Sequence, residues 1–329
     1  MRAAAGHDRR RWASAGGFPE QMRRAGGPSR NPGSGTAGLA RAPRFDAFPY
    51  LLMAPGLLLV LFVTLYPMLF TIDYSVMRTQ VFRQLGYVGL ANFQRLFADP
   101  RFRMDVVNSI VFVLSSVALT WIFGLALALF LRRQTWGNTV LRTLVLIPWV
   151  TNQVVLALMW KWLLTGETSP INYVLGLVGI PQFSPLISMS QALPTLIFVN
   201  AWRASGFSLL LMLAGLAGIP VQLEEAAEVD GATWLQKIRY VILPMLRPIS
   251  LACIITLTIS FFNIIVLPLD LTGGGPLNST EVISLRLYRE GFQYYHMELA
   301  SAITLVLVTL DLALSWIYYK MIRLDAAGA

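Results

Sequence analysis

The residues that could carry catalysis are few in this chain, and their spacing does not favour an enzyme. The two histidines, His7 and His296, lie far apart, and Cys253 is the single cysteine. Neither a metal-ligand set nor a disulfide can therefore be assembled within one chain. No lysine follows a glycine, so the sequence has no GxxxxGK[ST] loop to cradle nucleotide phosphates. We predict no metal, no cofactor and no enzymatic activity, ATP hydrolysis included.

A second set of polar residues could instead hydrogen-bond a solute, because they stand in or beside long apolar runs. These residues are Asn152, Gln153, Arg203, Asn263 and Asp311. A charge at the bilayer midplane costs roughly 2.5–3.5 kcal/mol on insertion scales, so it faces a partner or water. Arg203 and Asp311 lie a similar number of residues from the outer ends of their apolar stretches, and therefore at similar depths in the membrane. We predict that they pair. The sequence leaves open whether the five residues line a substrate path or only join helices.

The composition indicates what kind of element holds these residues. The chain has 329 residues, of which 56% are hydrophobic and 13% are charged. A soluble domain has roughly 25% charged residues, so this is the composition of a membrane protein. Six stretches approach or exceed the roughly 20 apolar residues that cross a bilayer. They are residues 49–72, 106–131, 140–163, 193–216, 249–270 and 299–319.

Positive charges indicate which side of the membrane each loop occupies. Seventeen Lys and Arg fall in the two termini, the loop after the second stretch and the loop after the fourth, against seven in the other loops. Cations concentrate on the cytoplasmic side of membrane proteins, so both termini and residues 220–248 are predicted to be cytoplasmic. Residues 90–97 place apolar side chains at helical spacing before Asp99. They predict an interfacial helix on the outer face, where packing on the membrane is favoured over a partner contact.

The ends of the chain are predicted to be tails around a domain of residues 48–320. Residues 1–47 contain nine Arg and few large apolar side chains, which predicts a disordered basic cytoplasmic tail. A nucleic-acid-binding arm is the less favoured alternative, because few aromatic residues interleave these cations. Residues 321–329 are predicted to form a short second cytoplasmic tail.

The stretch from Pro220 to Pro248, here called the 220–248 loop, is a charged, helix-forming segment between two apolar runs. It reads PVQLEEAAEVDGATWLQKIRYVILPMLRP. Three glutamates crowd the turns after Pro220, where the positive end of the helix dipole favours anions, and predict a helix from about 221 to 230. Gly231 then permits a sharp turn.

The second half of the 220–248 loop predicts another short helix. Thr233 and Gln236 have the spacing of a capping box, which predicts a helix from about 234 to 242. Pro244 and Pro248 should end that helix at the membrane. The product is a helix, a turn and a helix that project from the bilayer, which suits either docking to a partner or lying as an amphipathic hairpin on the surface.

The spacing within the 220–248 loop resembles that of a known family. The matching residues are Glu225, Ala226, Ala227, Asp230, Gly231, Leu243 and Pro244. They resemble the EAA loop of permease subunits from binding-protein-dependent ABC importers. Four more segments are similar to the carbohydrate, maltose-type branch: VGLANFQRLFADPRF at 88–102, LVLIPW at 144–149, AGLAGIP at 214–220 and LTGGGP at 271–276. The resemblance covers about residues 48–320.

The resemblance implies an all-α polytopic membrane protein with six transmembrane helices and the MetI-like permease fold. It also implies a second, different permease subunit, an ATP-binding cassette ATPase dimer and an extracytoplasmic solute-binding protein as partners, in the lipid bilayer of the inner membrane and without nucleic acid. The matching residues of the 220–248 loop would couple the chain to the ATPases. The solute would be a sugar or oligosaccharide.

Three alternatives stay open at this stage. A secondary transporter or channel would work without an ATPase. An integral membrane enzyme would cluster titratable residues at one membrane face, which the sequence does not suggest. Within the resemblance, a permease for polyamine or glycerol phosphate is the nearest alternative to a sugar permease.

Overall fold

The structure is a computed structural model that describes residues 48–80, 82–133, 135–166 and 169–326. The predicted tail of residues 1–47 lies outside the described residues. The helices are α1 Phe48–Ser75, α2 Ala91–Ala98, α3 Pro100–Leu131, α4 Trp136–Val150, α5 Gln153–Leu164, α6 Pro170–Leu177, α7 Ala192–Ala217, α8 Val221–Val229, α9 Trp234–Lys237, α10 Leu243–Phe262, α11 Val266–Leu271, α12 Ile283–Tyr288 and α13 Met297–Ala326. Strands β1 Met77–Gln80 and β2 Arg83–Tyr87 form an antiparallel hairpin that the sequence did not predict.

The all-α prediction is confirmed, and each predicted span overlaps a helix or a helix pair. Within the described residues, five helices are long and apolar enough to cross a membrane: Leu51–Ser75, Pro100–Leu131, Ala192–Ala217, Trp234–Phe262 and Met297–Lys320. The pair α4 and α5 meets the same test together, with a bend of 98° between its halves. Six spans result if that pair counts as one. The last helix continues to Ala326, so it includes most of the predicted second tail.

The bend between α4 and α5 corrects the prediction of one helix over residues 140–163. Thr151 and Asn152 both have extended backbone angles, and Thr151 ends α4. The Asn152 side chain accepts a hydrogen bond of 2.8 Å from the backbone N–H of Val154. Such a cap satisfies a backbone donor that a new helix leaves unpaired. The polar residues inside this apolar run therefore start a second helix.

The segment from Trp234 to Phe262 corrects the predicted helix end at Pro244 and Pro248. A π-helical turn over Ile238–Ile242 joins α9 to α10. Pro244 is the second residue of α10, directly after this turn, and Pro248 lies inside that helix. The 220–248 loop is consequently continuous with a membrane helix.

Small residues bring the central helices together. A Cβ on Gly124 of α3 would lie 2.1 Å from the Ser208 Oγ of α7, and one on Gly215 of α7 would lie 2.6 Å from Leu246 of α10. Small side chains of this kind let helix backbones approach closely in membrane proteins. Around these contacts Leu209, Met212 and Leu246 are fully buried. The core of the bundle thus consists of α3, α7 and α10, and the last two also line the candidate cavity.

The predicted interfacial helix is present as α2, with its apolar side chains divided between two environments. Leu96 is buried and Phe93 is partly buried, whereas Leu90 and Phe97 are exposed. The Asn92 side chain donates to the backbone oxygens of Ser75 and Met77. This amide ties α2 to the chain between α1 and β1.

Candidate substrate cavity and coupling loop

The first candidate site is the 220–248 loop, whose predicted helices and turn are observed. Helix α8 follows Pro220, and Gly231 has a φ of +75°, a conformation that residues with a Cβ rarely adopt. The capping box is complete, since Thr233 and Gln236 each bond the backbone of the other. The turn is therefore held by local hydrogen bonds and by a glycine that no other residue replaces without strain.

Two ion pairs hold the loop in place, one to the rest of the chain and one within the loop. Arg132, just after α3, donates to both carboxylate oxygens of Glu224 at 2.6 and 2.8 Å. These hydrogen bonds hold the pKa of the Glu224 carboxyl below its usual range. Lys237 of α9 bonds Glu228 of α8 at 2.5 Å and ties the two short helices together.

The predicted coupling residues are differently placed. Glu225, Ala226, Asp230, Gly231 and Pro244 are exposed, while Ala227 and Leu243 are half-buried. Among the described residues no ion pair engages Glu225. Val229 and Trp234 nearby are 88% and 66% exposed. A rigid loop that presents a carboxylate, a small side chain and apolar groups is suited to contact with another protein.

The second candidate site is a cavity of about 460 Å³ among α4, α5, α7, α10 and the start of α11. Three predicted residues, Gln153, Arg203 and Asn263, meet at its wall although they come from distant parts of the chain. The rest of the lining is Trp149, Ala204, Phe207, Thr256, Leu257, Ser260, Phe261, Ile264, Ile265 and Val266. The cavity combines amides, hydroxyls, aromatic rings and one cation.

The two remaining predicted residues lie off the wall. Asn152 caps α5, one position before Gln153. Asp311 of α13 accepts a hydrogen bond of 3.1 Å from the side chain of Asn263, which lines the cavity. Asp311 is thus joined to the cavity through another side chain.

The predicted pair of Arg203 and Asp311 is wrong. The Arg203 Nη2 donates to Asn200 Oδ1 at 3.2 Å, one turn earlier on its own helix, and Asp311 bonds Asn263. Equal depth in the membrane does not bring two side chains together, because the rotation of each helix about its axis decides where they point. Arg203 is 9% exposed, and its Nε has no hydrogen-bond partner in the structure.

Sequence reasoning missed several lining residues. Thr256 and Ser260 precede the predicted Asn263 at steps of four and three residues on α10 and its end, which places all three on one helix face. That spacing is readable in the sequence and could have identified Thr256 and Ser260. Trp149 and Phe207, whose ring centroids are 5.8 Å apart, come from two helices and gave no such signal.

A cluster of charges near the start of α3 was also missed; we call it the Arg286 network. Arg286 forms ion pairs with Asp99 at 3.0 Å, Asp105 at 3.5 Å and Glu290 at 2.8 Å. Its further members are Arg289, Glu281 and His296; Arg289 bonds Glu281 and His296 contacts Glu290. Burial raises the pKa of the Glu281 carboxyl. The spacing of Arg286 and Glu290, four residues apart, was the one local signal of this cluster.

Comparisons with known proteins agree with these features. The family described as "Binding-protein-dependent transport system inner membrane component" matches residues 120–323. The trehalose/maltose transport system permease protein of Thermococcus litoralis is 32% identical over 83% of this chain and 93% of its own length. The sn-glycerol-3-phosphate transport system permease protein of Brucella abortus is 29% identical over 84% of this chain and 94% of its own length.

A solved structure resembles the fold described above. It is a crystal structure of a bacterial alginate ABC transporter in complex with an alginate pentasaccharide-bound periplasmic protein. One of its chains superimposes with a TM-score of 0.75 at 23% identity, over 84% of this chain and 94% of that chain. The similarity confirms the predicted permease fold.

Proposed function

We propose that this chain is the permease subunit of an ATP-driven sugar importer. The chain belongs to the family of inner membrane components of binding-protein-dependent transport systems. The protein is a multi-pass membrane permease. The finer parts of the proposal are a second, different permease subunit, two separate ATPase subunits, an extracytoplasmic solute-binding protein and cytoplasmic termini. The domain bounds of 48–320 stay a prediction.

The observation that carries the proposal is the continuous helix from the 220–248 loop to the cavity. Residues Trp234–Phe262 form one span of 29 residues, about 43 Å at 1.5 Å per residue. Its residues from Trp234 to Pro248 belong to the loop, and Thr256, Ser260 and Phe261 near its far end line the cavity. A push on the loop would therefore reach the cavity wall along one continuous helix.

The coupling residues would dock into the ATPase subunits. Glu225 and Ala226 are exposed on α8, and the ion pair of Arg132 with Glu224 transfers load from α8 to α3. Closure of the ATPases would then move α3 and α10 together, and both helices pack against α7, which holds Arg203. The solute path would open on alternate sides of the membrane as these helices shift.

Sugar is the solute that the cavity chemistry supports. Gln153, Asn263, Thr256 and Ser260 offer donors and acceptors for hydroxyl groups, and Trp149 offers an aromatic face for a sugar ring. The relatives named above transport trehalose or maltose and sn-glycerol 3-phosphate by their names. Asn152 and Asp311 would position the lining residues Gln153 and Asn263.

The test compares two glycine substitutions on the predicted cytoplasmic side. Gly231 needs its positive φ, whereas a Cβ on Gly137 at the start of α4 meets nothing within 4 Å. We expect Gly231→Val to insert into the membrane normally yet to lose copurification with an ATPase and ATP-dependent uptake, because the turn between α8 and α9 is distorted. Gly137→Val should retain both.

Two outcomes would contradict the proposal. One is normal ATPase copurification by Gly231→Val. The other is solute transport by the purified chain alone in vesicles, which would favour a secondary transporter.

A further inference from the structure

The cavity contains a cation whose charge no acidic residue on its wall balances. Arg203 lies on the wall and is 9% exposed. Within the described part of the chain its one side-chain hydrogen bond is to the neutral amide of Asn200, and no carboxylate lies within ion-pair distance of it. The lining has neither Asp nor Glu. The wall therefore carries one net positive charge.

An unbalanced guanidinium in this position is costly. Arginine keeps its proton at physiological pH, so it cannot become neutral as a buried lysine can. A charge among membrane helices is retained where it meets an opposite charge, water or a functional ligand. Asp311, which equal depth suggested as the opposite charge, is engaged by Asn263. No side chain among the described residues supplies the counter-charge.

The geometry of the wall suits a ligand that supplies this charge. A guanidinium presents five N–H donors in a planar fork that matches the oxygens of a carboxylate or a phosphate. One nitrogen of Arg203 is used by Asn200 and the Nε has no partner. The amides of Gln153 and Asn263 and the hydroxyls of Thr256 and Ser260 lie on the same wall. They would bind the hydroxyl groups of the same ligand.

We propose that the cavity receives an anionic sugar or polyol, whose carboxylate or phosphate ester pairs with Arg203. This inference rests on the proposed function, since it names the class of solute that the same cavity would pass. Both anionic groups satisfy the same guanidinium, so the experiment has to separate them. If a neutral sugar occupied the cavity, the charge of Arg203 would stay unpaired.

The test measures binding of three matched sugars to the full chain in complex with the subunits that copurify with it, in lipid nanodiscs. The probes are D-glucuronate, D-glucose 6-phosphate and neutral D-glucose, each radiolabelled and assayed by equilibrium binding. We expect at least one anion to bind about tenfold or more tightly than glucose, the effect of one charge-assisted pair. The tighter of the two anions identifies the group that the site accepts.

Three variants assign the preference to Arg203. Arg203→Gln should reduce anion affinity to about that of glucose and leave glucose affinity within about twofold, because the amide keeps polarity without charge. Arg203→Lys should retain part of the preference, more for the phosphate than for the carboxylate, since an ammonium is a point charge without the fork. Arg83→Gln removes an exposed cation from β2 and should change nothing.

The outcomes separate this inference from the proposed function. Equal binding of all three sugars, no binding of either anion, or an anion preference that survives in Arg203→Gln would each overturn the inference. If the wild-type complex still copurifies with an ATPase in those cases, the proposed function stands. A wild-type chain that recovers no ATPase contradicts the proposed function instead, whatever the binding data show.

Discussion

The two ends of α3 hold charges in opposite ways. At its start, the Arg286 network buries three carboxylates, those of Asp105, Glu281 and Glu290, and pairs two of them with Arg286 and one with Arg289. At its end, the 220–248 loop leaves Glu225 exposed and uses one ion pair, that of Arg132 with Glu224, to attach itself. One end satisfies its charges internally, and the other presents them.

This difference indicates what each end does. Buried ion pairs are fixed by their surroundings, because removal of one partner strands the other in a medium of low polarity. Exposed carboxylates are free to meet a partner, and they contribute little to the stability of the chain on its own. The Arg286 network is therefore expected to hold the helix ends in place. The 220–248 loop is expected to matter chiefly once the proposed ATPase subunits are bound.

The largest expected effect is that of removing the central cation of the Arg286 network. Arg286→Met leaves Asp105 and Glu290 without the guanidinium that they share, at a cost of about 3–5 kcal/mol. We expect the thermal unfolding midpoint of the purified protein to fall by about 6 °C or more. Arg83→Met, which removes an exposed arginine from β2, is the control. Equal shifts in the two variants would mean that the network does not stabilise the fold.

A pH titration should separate the acids of the two ends by the sign of their effects. Burial raises the pKa of Glu281 above 4.5, so the folded state holds this proton more tightly, and its contribution becomes less favourable as pH rises above that value. The pKa of Glu224 is lowered from 4.5, so its contribution is complete above that value and is lost only as pH falls below it.

The measurement is thermal stability between about pH 5 and 7 for three proteins. Wild type should lose stability relative to Glu281→Gln as the pH rises through this range. The difference between wild type and Glu224→Gln should stay constant over the same range. Parallel curves for wild type and Glu281→Gln would show that the buried carboxyl does not titrate differently in the folded state.

A smaller effect on stability is expected from breaking the ion pair at the end of α3. Arg132→Met removes a pair whose arginine is 36% exposed, and such pairs contribute about 0–1 kcal/mol. We nonetheless expect uptake to fall, because α8 loses its attachment to α3 and a push on the loop no longer reaches that helix. Arg133→Met, next to it and exposed, is the matched control. Unchanged uptake in Arg132→Met would remove the ion pair from the coupling path.

The two ends also differ in how far the sequence predicts them. The 220–248 loop is built from neighbours in the chain, and its first helix, its glycine turn and the capping box of Thr233 with Gln236 follow from local rules. Its one structural error was the helix end at Pro244, where a π-helical turn lets the chain continue into α10. The Arg286 network joins Asp99 and Asp105 to residues 281–296, which are far away in the sequence. Only the four-residue spacing of Arg286 and Glu290 was therefore visible in the sequence.

The sequence predicts the cavity less completely than the 220–248 loop and more completely than the Arg286 network. Gln153, Arg203 and Asn263 were identified because polar residues are rare in apolar runs. Their arrangement was not predicted, since it depends on how α4, α7 and α10 rotate and pack. The break after Thr151 was missed for a related reason, because Asn152 was interpreted only as a solute ligand or a helix contact. A cap and a ligand use the same side chains, and only tertiary structure distinguishes them.

The smallest effect on the chain alone should come from crowding the exposed loop surface. Ala226 is exposed on α8, so Ala226→Leu should change stability by no more than about 0.5 kcal/mol. We expect it to weaken ATPase copurification strongly, because a larger side chain holds the partner backbone away from the helix. Gln222→Leu places a leucine at an exposed position one turn earlier on α8 and should retain the ATPase. If both variants retain the ATPase, the partner does not approach closely at Ala226. The docking surface then has to lie elsewhere on the 220–248 loop.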